Sequence, residues 1–280
     1  MKNKKNGLAV ITVVYNNYSI MRDFIKSLED QQNRNFYLFI SDLSDKKKEI
    51  KLKNVKYEVL YSKNKGYAHG VNLGLIKAKS AGFENFCIMN NDTFFKNDFI
   101  KNVLVSIKNN PSSLIGGKIY YAPGFEYHKN RYEIGDRGNV IWYAGGYVDW
   151  SHSITKHKGV DMVDRGKYNK FTKTGFITGA LIFFDIKVLN TIDLWNENYF
   201  LYYEDAEWCE KAKRKKIDLY FDPDILIWHK VSQSTGGSGS DMHVKFQEKN
   251  RLIFGLKYAP LKTKIHLFKN YFSRFFQKKI

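Results

Sequence analysis

The sequence is poor in residues that staple or interrupt a chain. Two cysteines, Cys87 and Cys209, and 4 prolines occur in 280 residues. Neither cysteine has a CxxC partner, which excludes a disulfide scaffold and fits buried, reduced structural thiols. So few prolines, with no low-complexity tract and no internal repeat, argue against long linkers. No apolar run approaches the ~20 residues that a membrane-spanning helix needs. The opening "MKNKKNGLAVITVVYNN" places basic residues before an apolar run, but the run covers only Leu8 to Val14. No small-residue cleavage site follows it, so the segment reads as folded chain and not as a signal peptide. Walker and GxGxxG fingerprints are missing, as are RNP, KH, helix-turn-helix and zinc signatures. Acid is scarce as well: 28 Asp and Glu stand against 46 Lys and Arg, a formal net charge of +18.

That excess of base draws a chain toward polyanions: nucleic acid, anionic lipid or phosphorylated substrates. The apolar share of 43%, with 16% aromatic residues, is enough for a sizeable core in one generous domain. Leu8–Val14, Phe36–Asp42, Val55–Tyr61 and Asn85–Asp92 read as strands, and "SLIGGKIY" as another. Between them Ser19–Leu28, a segment carrying Val71, Leu75 and Ala78 on one face, and Asp98–Ile107 have helical spacing. Such alternation predicts an α/β fold: a mostly parallel, Rossmann-like central sheet flanked by helices. The second half reads differently. Tyr121–Arg137 is loop-like, "NVIWYAGGYVDW" and "TGFITGALIFF" are strands with glycine turns, and "IDLYFDPDILIWHK" is two short strands broken at Pro223. Ile186–Leu194, Glu204–Lys216 and Met242–Lys257 are helices, and the Gly/Ser-rich 231–241 stretch has the composition of a lid.

Ligands of parallel sheets bind at the carboxyl ends of strands. There the chain offers Tyr15 and Asn16, Asp42, Asn64 to Tyr67, and Asn90, Asn91 and Asp92. A carboxylate such as Asp92 suits a hard divalent cation, but taken alone Asn-Asn-Asp reads better as a turn after a strand. His229, at the end of "ILIWH", is either a metal ligand or an ordinary hydrogen-bonded histidine. In "YFLYYEDAEWCEKAKRK", Glu204 and Asp205 follow an aromatic run and open a helix. They fit a helix N-terminus and also a desolvated base.

Taken in order, "VITVVYNN", "ISDLSD", "NKGYAHGVNLGL", "IMNNDT", "TGFITGALIFF", "LWNENYFLYYEDAEW" and "IWHK" resemble the family 2 glycosyltransferases with the GT-A fold. The resemblance is to the rhamnosyltransferase-like and galactofuranosyltransferase-like bacterial branch, and it runs from Leu8 to about Tyr258. It implies a GT-A domain over 1–258, with a nucleotide-sugar half (1–120), an acceptor and catalytic half (121–258) and a basic tail (259–280). It implies nucleotide-sugar contacts from Tyr15, Asn16, Asp42, Asn64, Gly66, Asn72, Asn90, Asn91 and Asp92, with Gly70 nearby. The acceptor side would use Gly179, Glu204 and Trp208. Asp205 would be the general base, Glu204 would shape the acceptor pocket, and Asp92 and His229 would hold Mn²⁺ or Mg²⁺. Departures from the family are Val14 for its usual Thr, Asn196 for an Asp, Glu207 for an Asp, and a DXD motif that keeps only its last acid. The implied activity is inverting transfer of a sugar from a nucleotide diphosphate to a glycan or lipid-linked acceptor in bacterial surface polysaccharide synthesis, with Lys65 or Lys230 near the diphosphate. The contrasting class is a non-catalytic polyanion- or nucleic-acid-binding protein, which the missing signatures disfavour. In "KTKIHLFKNYFSRFFQKKI", Phe268, Tyr271 or Phe272, and Phe275 or Phe276 recur at helical spacing among Lys264, Lys269, Arg274, Lys278 and Lys279. That pattern predicts an amphipathic helix on the cytoplasmic face of an anionic membrane. A helix docked on the body or a dimer contact is the plainer reading.

Overall fold

The computed structural model describes residues 4–231 and 241–277. The β-branched runs form strands as expected. In chain order the first half contains β1 (Lys5–Val14), α1 (Arg22–Glu29), β2 (Phe36–Asp42), β3 (Tyr57–Tyr61), α2 (Tyr67–Ser80), β4 (Phe83–Met89), β5 (Thr93–Phe95), α3 (Phe99–Asn109) and β6 (Leu114–Tyr121). The second half contains β7 (Ile141–Tyr143), β8 (Gly146–Asp149), β9 (Ile154–His157), β10 (Thr172–Lys173), β11 (Leu181–Asp185), α4 (Ile186–Ile192), α5 (Glu204–Arg214), β12 (Leu219–His229), α6 (Asp241–Tyr258) and α7 (Leu261–Gln277).

One mixed sheet runs β10-β12-β6-β11-β4-β1-β2-β3, with β5 on β12 and β7 on β6. The pairs β1–β2, β2–β3, β1–β4 and β6–β12 are parallel. β11 is inserted antiparallel between β4 and β6, so strands from both sides of residue 120 share one sheet. Leu8, Val10, Phe86, Ile88, Ile182 and Phe184 are completely buried along these central strands. Each such side chain contributes about 1.5–3 kcal/mol relative to exposure, which explains the near-continuous apolar runs. Both cysteines are buried and unbonded to one another. β8 and β9 form a separate hairpin.

Two expectations are corrected. "TGFITGALIFF" is extended only from Leu181 onward, because Phe176 to Ala180 make a loop whose carbonyls and amides serve other segments. And β12 is one strand, not two. It crosses Pro223 by a bulge: Asp222 pairs with Gly117 and Leu226 with Lys118, so Pro223, Asp224 and Ile225 stand opposite no partner. Proline is tolerated in a strand at such a bulge, where no ladder bond needs its missing N–H. Gly117 makes room for it, since a Cβ there would lie 2.5 Å from the Ile225 carbonyl oxygen. The expected lid falls largely on residues outside those described.

α7 docks on α6: Leu267 and Thr263 are buried, and Leu267 sits against Gly255. Its other face leaves Leu261, Ile265 and Phe268 exposed. The tail therefore has both a docked side and an outward apolar side. The side chains from Phe272 onward lie outside those described. No described helix is long and apolar enough to cross a membrane.

Candidate active site

A cleft of about 530 Å³ opens at the carboxyl ends of β1, β4 and β12 and is closed on its far side by α5, α6 and the β8–β9 hairpin. A second, more open hollow of about 620 Å³ lies between α1 and β5, around Asp23, Lys26 and Asp30, and includes none of the residues singled out from the sequence.

Tyr15, Asn64, Gly66, Asn90, Asn91 and Asp92 line the cleft, as do Gly179, Glu204, Asp205 and His229. Gly66 is required by its backbone: its φ is +105°, and a Cβ would run into the Phe200 carbonyl that bonds Tyr67 N at 2.9 Å. Three expected donor contacts do not reach the cleft. Asp42 is fully buried, accepting from the Tyr18 hydroxyl at 2.7 Å and Ser44 N at 2.9 Å. It shapes the loop that presents Leu43 to the cleft. Asn16 turns aside to Asp45 and Ser44. Asn72 is buried in α2, where it donates to Trp195 O and Glu197 Oε1 and accepts from Trp195 N, each at 2.9 Å. Gly70 packs on Val13. Lys230 is drawn away to Asp23, 2.5 Å distant, and Lys65 is exposed outside the cleft.

The turn after β4 brings Asp92 to the end of β12. His229 Nε2 lies 3.0 Å from Asp92 Oδ1, and both side chains are almost fully buried. His229 Nδ1 has no partner, and Asn90 Nδ2 is 3.4 Å from Nε2. A buried carboxylate beside an imidazole nitrogen is a donor set that suits a divalent ion. Asp92 and His229 would hold such an ion through a carboxylate oxygen and an imidazole nitrogen. Among the described residues no third acid, histidine or cysteine joins them, so the remaining positions would fall to phosphate oxygens and water.

Asp205 is on the first turn of α5. Its Oδ2 accepts from Gly179 N at 2.8 Å and its Oδ1 from Ala206 N at 2.7 Å. Burial pushes its carboxyl up to about 6 against those two stabilising bonds. Glu204 beside it is 5% exposed, with Oε2 unpartnered. Burial first, and the Asp205 charge second, hold its carboxyl well above the usual carboxylate range. Burial raises both carboxyls, and the Gly179 and Ala206 amides offset that rise at Asp205. The helix is entered through Tyr202 (φ 69°) and Tyr203 (φ 72°), two successive left-handed tyrosines. Such a conformation is strained for bulky residues and persists only where contacts impose it. Asn250 of α6, buried, donates Nδ2 to Leu201 O at 2.8 Å and Tyr202 O at 2.9 Å. The Tyr203 hydroxyl donates to Ser153 O at 3.0 Å, and its ring packs on Phe254.

Trp208 is the remaining correction. It is fully buried, packs on Phe184 and Trp195, and donates Nε1 to Asp193 O at 2.9 Å. Several cleft residues escaped the sequence reading: Trp142, Thr155, His157, Phe176, Thr178 and Gln247. Asn250, behind the wall, escaped it too. His157 sits in "TKHKG", which reads as a basic loop, and only the strict pairing of the hairpin turns it inward.

The glycosyl transferase family 2 model matches residues 9–192. A dTDP-rhamnosyl transferase, RfbF, of Shigella flexneri is 21% identical over 242 residues, which is 82% of this chain and 71% of that one. Of solved structures, GalNAc-T7 with UDP, GalNAc and Mn²⁺ superposes with a TM-score of 0.65 at 16% identity, over 87% of this chain and 48% of that chain. S. aureus TarS aligns with a TM-score of 0.47 at 15% identity, over 78% of this chain and 36% of that chain. At such identity the likeness to GalNAc-T7 is one of fold, and this chain spans about half of that protein's length.

Proposed function

The chain belongs to glycosyl transferase family 2 and has the GT-A fold, and from that premise we propose an inverting, metal-dependent transfer of a hexosyl or deoxyhexosyl unit. The donor is a nucleotide-diphosphate sugar, with dTDP-rhamnose the first candidate because the curated relative is a dTDP-rhamnosyl transferase. The acceptor is a glycan or lipid-linked saccharide of bacterial surface polysaccharide synthesis. Residues up to about 120 supply the nucleotide side of the cleft and residues to 258 the acceptor side.

One observation carries the reading: a single cleft joins the Asp92–His229 pair to the adjacent carboxyls of Glu204 and Asp205, the latter held by two backbone amides. Tyr15, Leu43 and Asn64 face the nucleotide end. Asp92 and His229 would hold Mn²⁺ or Mg²⁺, which offsets the charge that develops on the departing diphosphate. Asp205, oriented by the Gly179 and Ala206 amides, takes the proton of the attacking acceptor hydroxyl. Glu204, whose carboxyl burial raises, shapes the acceptor pocket from the same helix turn. A single displacement from the face opposite the diphosphate inverts the anomeric centre. Asp205 is a base only when ionised, so kcat/KM falls as pH drops below about 6.

Asp205→Asn tests this. Transfer should fall ~10²–10⁴-fold, as loss of a positioned base does, with nucleotide affinity and melting temperature retained and no remaining rise in rate through pH 6. Near-wild-type transfer, or a large loss of melting temperature in proportion to activity, would return Asp205 to a helix-capping role.

We further infer peripheral membrane binding through α7. Leu261, Ile265 and Phe268 form an outward stripe flanked by Lys262, Lys264 and Lys269, the arrangement of a helix lying on anionic lipid. Removing residues 261–280 should lower binding to phosphatidylglycerol vesicles while donor hydrolysis persists. Unchanged vesicle binding, or a shift from dimer to monomer instead, would assign the stripe to a second copy of the chain.

A further inference from the structure

His157 is a titratable side chain of the cleft wall to which the proposed chemistry gives no task. Its Nδ1 lies 3.0 Å from the Trp142 carbonyl oxygen. A carbonyl only accepts, so Nδ1 carries the hydrogen and Nε2 presents a lone pair. Among the described residues no hydrogen bond is made to Nε2, and the side chain lines the cleft. The ring cannot turn freely. It lies edge-on to Trp142 (4.7 Å) and Tyr143 (5.1 Å) and stacks on Phe176 at 6.0 Å. Burial, with a smaller contribution from His229, holds its pKa down to about 4, and the ring stays neutral at physiological pH.

The wall to which it belongs is the one that carries Asp205. Phe176 leads through Ile177 and Thr178 to Gly179, whose amide holds the Asp205 carboxylate, and the Tyr143 hydroxyl fixes the Phe176 carbonyl at 2.7 Å. Aromatic rings around one oriented acceptor atom make a site that receives a sugar hydroxyl. We propose that Nε2 of His157 accepts a hydrogen bond from a hydroxyl of the acceptor sugar and so contributes to the choice of acceptor. A site built around such a bond rejects the analogue lacking the hydroxyl, because the nitrogen is then left dry and unpaired. The inference rests on reading Asp205 as the base, since that reading makes this wall the acceptor side.

The test uses the full chain labelled with ¹⁵N-histidine, Mg²⁺, and dTDP and UDP in turn, with the His157 resonances assigned by His157→Gln. Methyl glycosides of hexoses and deoxyhexoses are titrated in while the Nε2 shift is followed. At least one should move Nε2 upfield saturably. His157→Phe should weaken that glycoside about tenfold, the scale of one such bond, with nucleotide affinity and melting temperature unchanged. His157→Gln, which keeps an acceptor oxygen, should recover part of the loss. A panel that leaves Nε2 unmoved overturns the inference, as does a glycoside affinity that His157→Phe leaves intact. A response to an intact nucleotide sugar alone overturns it too, by placing the contact on the donor. If Asp205→Asn spares transfer while glycosides still perturb Nε2, the assignment of the base has failed and the hydroxyl contact has not.

Discussion

Asp92 lies in a tight turn between two strands of the central sheet, whereas Asp205 lies on a helix turn entered through two left-handed tyrosines. The first position follows from pleat and strand order: once β4 and β12 are placed, His229 and Asp92 meet at 3.0 Å. The second depends on single bonds from distant segments, namely Gly179 N to Asp205, the Tyr203 hydroxyl to Ser153 O, and the Asn250 amide to Leu201 O and Tyr202 O. A wall built on strand ends is hard to displace without unfolding the protein. A wall held by side-chain bonds can be shifted while the core persists, and misplacing a base by ~1 Å costs about 10²-fold in rate.

Substitutions on each wall can break this contrast. The largest effect after Asp205→Asn is expected from Asp92→Ala. Transfer should fall ~10²–10³-fold, as removal of a group that stabilises developing charge does, and nucleoside diphosphate affinity in Mg²⁺ should fall with it. Calorimetry that finds nucleotide binding unchanged would remove Asp92 from the donor side. Next comes Asn250→Asp, which keeps the shape but turns a carboxylate toward two carbonyl oxygens, compared with Asn250→Ala. Both should lower kcat about tenfold or more with nucleotide affinity retained. An unchanged kcat in both would show that the tyrosine turn holds itself. The smallest effect belongs to Glu204→Gln. The folded state raises the Glu204 pKa above a free value of 4.5, so the stability this carboxyl confers is fully present below about 4.5 and is lost as pH rises through its folded value. Gln has no proton to lose. The two proteins should melt alike near pH 4, and the variant should gain a few degrees by about pH 8. A melting difference that does not change with pH would show that Glu204 is not held protonated.

The same contrast explains what was legible beforehand. β-branched runs and glycine turns announce parallel strands, and ligand residues at their ends follow from topology, so Tyr15, Asn64, Asp92 and His229 could be named. Asp205 was visible because acids after an aromatic run at a helix start are unusual. Trp208 misled: it shares the Glu204 side of α5, but one turn further along that side has passed from the cleft into the core. Asp42 and Asn72 misled because a polar residue near a strand end serves a ligand or a buried loop equally well. His157 and Trp142 stand on strands too short to show a period, and Asn250 is one polar residue of a basic helix whose partners are backbone carbonyls about fifty positions earlier.

The bulge in β12 has a consequence for how this chain tolerates changes of length. Leu219 and Phe221 pair with Leu114 and Gly116, while Ile227 and His229 pair with Ile119 and Tyr121. The unpaired Pro223–Ile225 turn therefore switches which residues of the strand point to each face. Because Leu226 to His229 take their facing from Lys118 to Tyr121, a change of length confined to the unpaired turn leaves the His229 imidazole on its side of the sheet, whereas a one-residue slip of the strand turns it to the other side.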